Sequence, residues 1–173
     1  MASSANSKYQ HLDHQFGPCF FPDSEILVLG SFPSVKSREA NFYYGHPQNR
    51  FWRVLAGIFG FSMGETIEEK RKTLEHIHIA LYDVIDECDI VGSSDASIKN
   101  AVPTDLSAIL DQTKIRLIVL NGKKAGSLFE RYQSRAIGGR VSHVVMPSTS
   151  PANAAVGLDA LISEWGKVLK PID

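Results

Sequence analysis

A chain of 173 residues with 43% hydrophobic and 21% charged side chains has an ordinary globular make-up, which excludes a disordered tail or a low-complexity fibre; at this length about 70% of the unfolded surface can be buried around one core. Lys plus Arg is 18 and Asp plus Glu is 19, a net charge of −1, which excludes a uniformly basic nucleic-acid coat, so any DNA contact must come from a local cluster of cations. Cys19 and Cys88 are the only cysteines; they form no CxxC pair and no disulfide framework, the usage of a reducing compartment. Along the chain, the start MASSANSKYQHLDHQ lacks the apolar segment of a secretory signal and reads as a frayed arm over residues 1–15. Ile26 to Leu29 is a short apolar run ending at Gly30, the pattern of a buried parallel strand. Ser31 to Gln48 has no helical period, and a structureless stretch of that length is usually functional. Phe51, Val54, Leu55, Ile58 and Phe59 fall on one helix face, with Gly60 as the stop. Thr66 and Glu69 make a capping box for a polar helix through Leu74. Ile77 to Val84 holds a weaker strand. Pro103-Thr104 starts a helix bearing Leu106, Ile109 and Leu110. Ile115 to Leu120 is a strand ending at Asn121-Gly122, followed by a helix face of Ala125, Leu128, Phe129 and Tyr132. Val141 to Met146 is a strand ending at Pro147, and a helix carrying Leu158, Leu161, Ile162, Trp165, Val168 and Leu169 closes the chain.

Strand and helix alternate. The expected fold is a single α/β domain over residues 1–173, three layers α/β/α around a central parallel sheet of about four strands. No apolar run approaches the roughly 20 residues of a membrane span. The expected protein is a monomer of the cytoplasm, without membrane attachment.

In an open α/β sheet ligands bind beyond the carboxyl ends of the strands, and here those ends carry GSFPS (30–34), YYGHPQNRFW (43–52), NGKKA (121–125) and PSTSPAN (147–153). Glycine and proline fix turns there and let a ligand approach the backbone. Aromatics, amides and hydroxyls supply stacking and hydrogen bonds. No carboxylate pair, Cys–His pair or metal cluster stands out among these residues. Neither GxGxxG nor GxxxxGK[ST] is present, so the common nucleotide fingerprints are missing. Each piece also has a plain structural reading. GSFPS serves as a simple turn, Tyr43-Tyr44 as cover for the core edge, Trp52 as packing. Asn49 serves as a helix N-cap, and Lys123-Lys124 as a solvated pair. His11 with His14, or His76 with His78, has metal-like spacing but no third ligand, so neither metal nor cofactor is expected.

GSFPS, YYGHPQNRFW, LNGKKA and PSTSPAN, in that order at strand ends, resemble the uracil-DNA glycosylase superfamily, and most nearly its hypoxanthine-DNA (deoxyinosine) glycosylase branch. The resemblance spans Glu25 to Lys170, and the stretch from Leu81-Tyr82-Asp83 to Ser94-Asp95-Ala96-Ser97-Ile98 resembles the mismatch-specific members. Relatives that act best on uracil carry an Asp in the first-strand loop and a His before the last Pro-Ser. Here the loop is GSFPS and the preceding residue is Met146. The resemblance therefore implies deaminated bases other than uracil, hypoxanthine first, and the amide of the HPxN motif, Asn49, as the catalytic group.

A mechanism can be written beside it. The base must be flipped out of the duplex. Tyr43 or Tyr44, with Phe42 as the alternative, stacks on the extruded ring, worth ~1–3 kcal/mol, and Asn121 reads its edge. Asn49 orients the attacking water, while backbone N–H groups near Gly30 and Ser31 face the leaving base. Ser148 and Ser150 contact phosphates; Arg50, Arg53, Lys123 and Lys124 supply the basic patch; the residue that fills the vacated stack is left unassigned, with Ala152 and Asn153 as candidates. The partner is double-stranded DNA carrying a deaminated base, in base excision repair at the nucleoid of a prokaryote. Two competing readings remain: a non-catalytic nucleic-acid-binding module on the same fold, and a uracil- or mismatch-directed glycosylase.

Overall fold

The structure, a computed structural model, describes residues 8–60, 62 and 64–170. Strands and helices are numbered in chain order. A four-stranded parallel sheet of β2 (Ile26–Gly30), β3 (Ile79–Asp83), β6 (Leu117–Asn121) and β7 (Ser142–Met146) runs in the order β3-β2-β6-β7. β2 is buried at every residue, which is why it reads as an unbroken apolar run rather than as alternation. Its side chains divide by the two-residue period of a strand. Ile26 and Val28 enter one core and Leu27 and Leu29 the other.

Helices α2 (Phe51–Phe59), α3 (Ile67–Ile77) and α7 (Leu158–Leu169) cover the first face through Phe51, Val54, Leu55, Leu74, Leu161 and Trp165. Helices α4 (Ser107–Asp111), α5 (Lys123–Tyr132) and α6 (Ser134–Ile137) cover the second through Ile109, Leu110, Leu128, Phe129 and Ile137. The expected three-layer α/β/α arrangement with four parallel strands is the one that forms. Trp165 is fully buried, and its indole N–H donates to Pro147 O at 2.9 Å, so α7 fixes the start of the PSTSPAN loop. No helix among the described residues is long and apolar enough to cross a membrane.

Three expectations are corrected. The arm expected to fray over residues 1–15 contains β1 (Gln10–Asp13), which pairs antiparallel with β4 (Ile85–Ile90); β4 in turn pairs with β5 (Lys99–Pro103) in a separate three-stranded sheet. Residues 1–7 of that arm lie outside the described residues. The stretch from Ser31 to Gln48 is not structureless. Ser34 caps a short helix, α1 (Val35–Ala40), its hydroxyl accepting from Ser37 N. Pro103 does not start a helix; it ends β5, at an outer strand where its missing N–H costs no ladder bond, and α4 begins four residues later.

Candidate active site

The carboxyl ends of β2, β3 and β6 open into one cleft of about 350 Å³, at the lower end of the range for small-molecule sites. Gly30 and Asp83 end β2 and β3 as register partners. The chain leaving β3 is bound to the first-strand loop, with Val84 N donating to Gly30 O and Ile85 N to Ser31 O. That pairing sets the Asp83 carboxylate against Gly30. A side chain at residue 30 would place its Cβ 2.6 Å from Asp83 Oδ1, so the position requires glycine. At the end of β6, Gly122 has φ 100°, and a Cβ there would lie 2.9 Å from Ser148 Cβ. Glycine lets the PSTSPAN loop close over Asn121.

The amides are wired together. Asn49 Oδ1 accepts from the N–H of Phe51 and from the hydroxyl of Thr149, both at 2.9 Å. Asn121 Oδ1 accepts from the N–H of Thr149, and Asn121 Nδ2 donates to Thr149 Oγ1, both at 3.0 Å. Backbone N–H groups can only donate, so Phe51 N and Thr149 N fix which side of each amide is oxygen. The Thr149 hydroxyl receives from Asn121 and must then give to Asn49. Both lone pairs of Asn49 Oδ1 are used, and its Nδ2 protons remain. Asn49 is a cleft residue and not the N-cap expected of it: Arg50 holds that position without a side-chain cap bond, and Asn49 takes the Phe51 N–H from one residue further out.

Of the residues singled out in the sequence, Gly30, Ser31, Tyr43, Tyr44, Asn49, Asn121, Ser148 and Ser150 line the cleft. Phe42 does not; it is buried and stacks on Trp52 at 5.9 Å. Tyr43 touches the cleft but is nearly buried, its hydroxyl donating to Gly17 O. Arg50 is occupied elsewhere. Its guanidinium donates to the carbonyls of Ser150, Asn153 and Val156, so it clamps the PSTSPAN loop instead of facing DNA. Asn153 also works inside that loop, donating from Nδ2 to Ser148 O. Lys123 and Lys124 open α5 beside the cleft, Lys123 exposed and Lys124 half-buried.

Sequence reasoning missed Phe16, Phe32, His46, Asp83, Asp95 and Thr149, all in the cleft wall. The four strand-end motifs hold no carboxylate pair, but Asp83 and Asp95 bring carboxylates to the cleft from outside them. Asp95 Oδ1 accepts from Ser31 Oγ at 2.7 Å. Crowding by the cleft wall raises its pKa, against the lowering effect of that hydrogen bond. Asp83 is buried, and its Oδ2 meets His14 Nε2 at 2.7 Å, with side-chain exposures of 6% and 0%. His14 sits among Phe16, Phe32, Tyr43 and Tyr82. The LYD…SDASI stretch was the available signal, but register places its carboxylates, and spacing does not reveal register.

The fold and site together define an α/β protein with a strand-end cleft that has a glycine floor, fixed amides and aromatic walls. The family model described as the uracil DNA glycosylase superfamily matches residues 18–165, and the chain belongs to that superfamily. A hypoxanthine DNA glycosylase of Methanosarcina acetivorans is 37% identical over 150 residues, covering 86% of this chain and 92% of the relative. A second protein of that name, from Methanosarcina barkeri, is 33% identical over 159 residues, covering 90% and 96%. A solution NMR structure of a Methanosarcina acetivorans protein of the uracil DNA glycosylase kind matches with a TM-score of 0.78 at 35% identity, covering 93% of this chain and 98% of that one.

Proposed function

We propose that this chain is a monofunctional DNA glycosylase that hydrolyses the N-glycosidic bond of deaminated bases in duplex DNA, hypoxanthine first, and that it acts as a monomer at the nucleoid. The observation that carries the reading is the fixed polarity of the Asn49–Thr149–Asn121 network. Cleavage leaves negative charge on the departing base and positive charge on the sugar. Donors aimed at the developing charge lower the barrier without reorganising. Asn49 supplies such donors through Nδ2, while its oxygen is committed to Phe51 and Thr149. This changes the role expected from sequence: Asn49 serves the leaving base instead of orienting the attacking water. An amide takes up no proton at neutral pH, so the rate is modest, and hypoxanthine, a better leaving group than adenine, tolerates that.

Tyr44 lines the cleft with its ring braced on Phe51, at a ring separation of 4.1 Å. The Ser148 and Ser150 hydroxyls accept from Ser150 N and Ala152 N, which leaves their own protons for phosphate. Strand incision would need an amine for a Schiff base. Lys36 points to Glu39 at 3.3 Å, and Lys123 and Lys124 lie outside the cleft wall.

The test is a panel of duplexes, each with one hypoxanthine, uracil or xanthine, scored for abasic sites under single-turnover conditions. Hypoxanthine should be released fastest, leaving an uncut strand, and borohydride should trap no adduct. Tight duplex binding without release of any base would favour the non-catalytic module; uracil released fastest would favour the uracil-directed reading.

A further inference from the structure

Two polar atoms at the cleft floor make no hydrogen bond among the described residues: the Tyr44 hydroxyl, which is buried, and Asp83 Oδ1, which faces the cleft. Asp83 Oδ2 is held by His14, but among the described residues no hydrogen bond reaches Oδ1. The Tyr44 hydroxyl is buried between Asp83 and Asn121 and makes a full hydrogen bond with neither. Both atoms flank Gly30: a Cβ built there would lie 2.6 Å from Asp83 Oδ1 and 3.5 Å from Tyr44 Oη. Burial, and next the Asp83 charge, push the Tyr44 pKa well above its usual value, so the hydroxyl keeps its proton. The chain also holds Tyr44 at φ 55°, a left-handed conformation that costs a bulky residue about 1–3 kcal/mol and persists where the surroundings demand it. A buried hydroxyl without a partner, such as that of Tyr44, is uncommon in folded proteins and calls for an explanation.

We propose that Asp83 and Tyr44 are the edge reader of the base: Asp83 Oδ1 accepts the ring N–H of a lactam and Tyr44 donates to the adjacent carbonyl. Hypoxanthine and uracil present that N–H beside C=O. Adenine and cytosine present the reverse, a bare ring nitrogen beside an amino group, and the nitrogen lone pair would face a carboxylate. Deamination is the chemistry that converts the second edge into the first. Guanine shares the lactam edge, so the pair sets discrimination against adenine and cytosine only. His14 is the positioning residue: its Nε2–H pins Oδ2 and leaves Oδ1 turned to the cleft. A buried charge of this kind is tolerable because it is paired.

This inference rests on the glycosylase reading for its substrate, and its test separates the two. Duplexes are made with a 2′-fluoroarabino sugar that blocks hydrolysis, carrying either hypoxanthine or unsubstituted purine, which lacks both the ring N–H and the carbonyl. The same two duplexes are titrated with wild type, Asp83→Asn and Tyr44→Phe, so differences in flipping cost cancel between variants. Wild type should prefer hypoxanthine by about 10- to 100-fold, the range set by hydrogen bonds to charged groups. Each variant should cut that preference by about 3- to 10-fold, because each removes one of the two contacts. Tyr44→Phe keeps the ring on Phe51 and guards against a folding defect in Asp83→Asn. A preference undiminished in folded Tyr44→Phe and Asp83→Asn, or absent from wild type, overturns the proposal. Preference without base release from ordinary hypoxanthine duplexes would instead overturn the hydrolase reading and leave the edge reader standing.

Discussion

At Asn49 the carbonyl oxygen already carries two donors, the N–H of Phe51 and the hydroxyl of Thr149. Aspartate at this position could accept both bonds. It could not replace the Nδ2 protons. Asn49→Asp should therefore melt near wild type and lose about 10²- to 10³-fold in single-turnover release, the effect of removing one donor from a developing anion. Release at the wild-type rate by a folded Asn49→Asp would show that the side chain works through its oxygen. Thr149→Val keeps the shape and cuts the relay, leaving Asn121 Nδ2 and Asn49 Oδ1 each short of a partner, at a cost of about 1–3 kcal/mol. Thr149→Ser keeps the hydroxyl and should restore both stability and turnover, measured by melting and by base release. The two amides were legible in the sequence because each lies in a distinctive motif at a strand end. Thr149 was not, since its place in the middle of PSTSPAN gives no hint that its hydroxyl joins two segments 100 residues apart.

At the level of elements, the four parallel strands could be read because burial on both faces leaves an apolar run with nothing to interrupt it. The second sheet could not. β4, IDECDI, buries Ile85, Cys88 and Ile90 while turning three carboxylates outward, so its composition argues for a loop. β1, QHLD, has one apolar residue and owes its conformation to pairing with β4. α1 has six residues, too few to show a period. Yet β1 delivers His14 to Asp83. Deleting residues 1–14 should leave the parallel sheet folded, as judged by far-UV circular dichroism, and should sharply reduce release of hypoxanthine. His14→Ala should do the same with β1 intact, because it leaves a buried carboxylate unpaired. Full activity in the truncated chain would return the segment to the status of a frayed arm.

Over the whole molecule, a net charge of −1 limits how many phosphates can be neutralised at once. With Arg50 committed to three carbonyls of its own chain, the cations free to engage DNA near the cleft include Lys123 and Lys124. Three or four phosphate contacts give a slope of about −3 for log affinity against log salt, at ~0.9 per contact. Replacing both lysines with alanine should make that slope shallower by one to two units and weaken binding to every sequence alike (about 0.9 per lost contact). Arg50→Met should leave the slope unchanged and lower the melting temperature. An unchanged slope in the double lysine variant would place the phosphate contacts elsewhere on the surface.

The cleft has two walls drawn from different stretches of chain. Asn49, Thr149 and Asn121 are tied to one another across α2, β6 and the PSTSPAN loop, while Asp83 is tied to His14 on the side of β1 and β3. No hydrogen bond among the described residues joins the two sets. On the roles proposed for them, what is cut and how fast it is cut are carried by separate parts of the polypeptide. On the proposed roles, a change of preferred lesion runs through residues 44 and 83 and leaves Asn49, Thr149 and Asn121 as they are. A laboratory library confined to the neighbourhood of those two positions is the direct route to excising a different base.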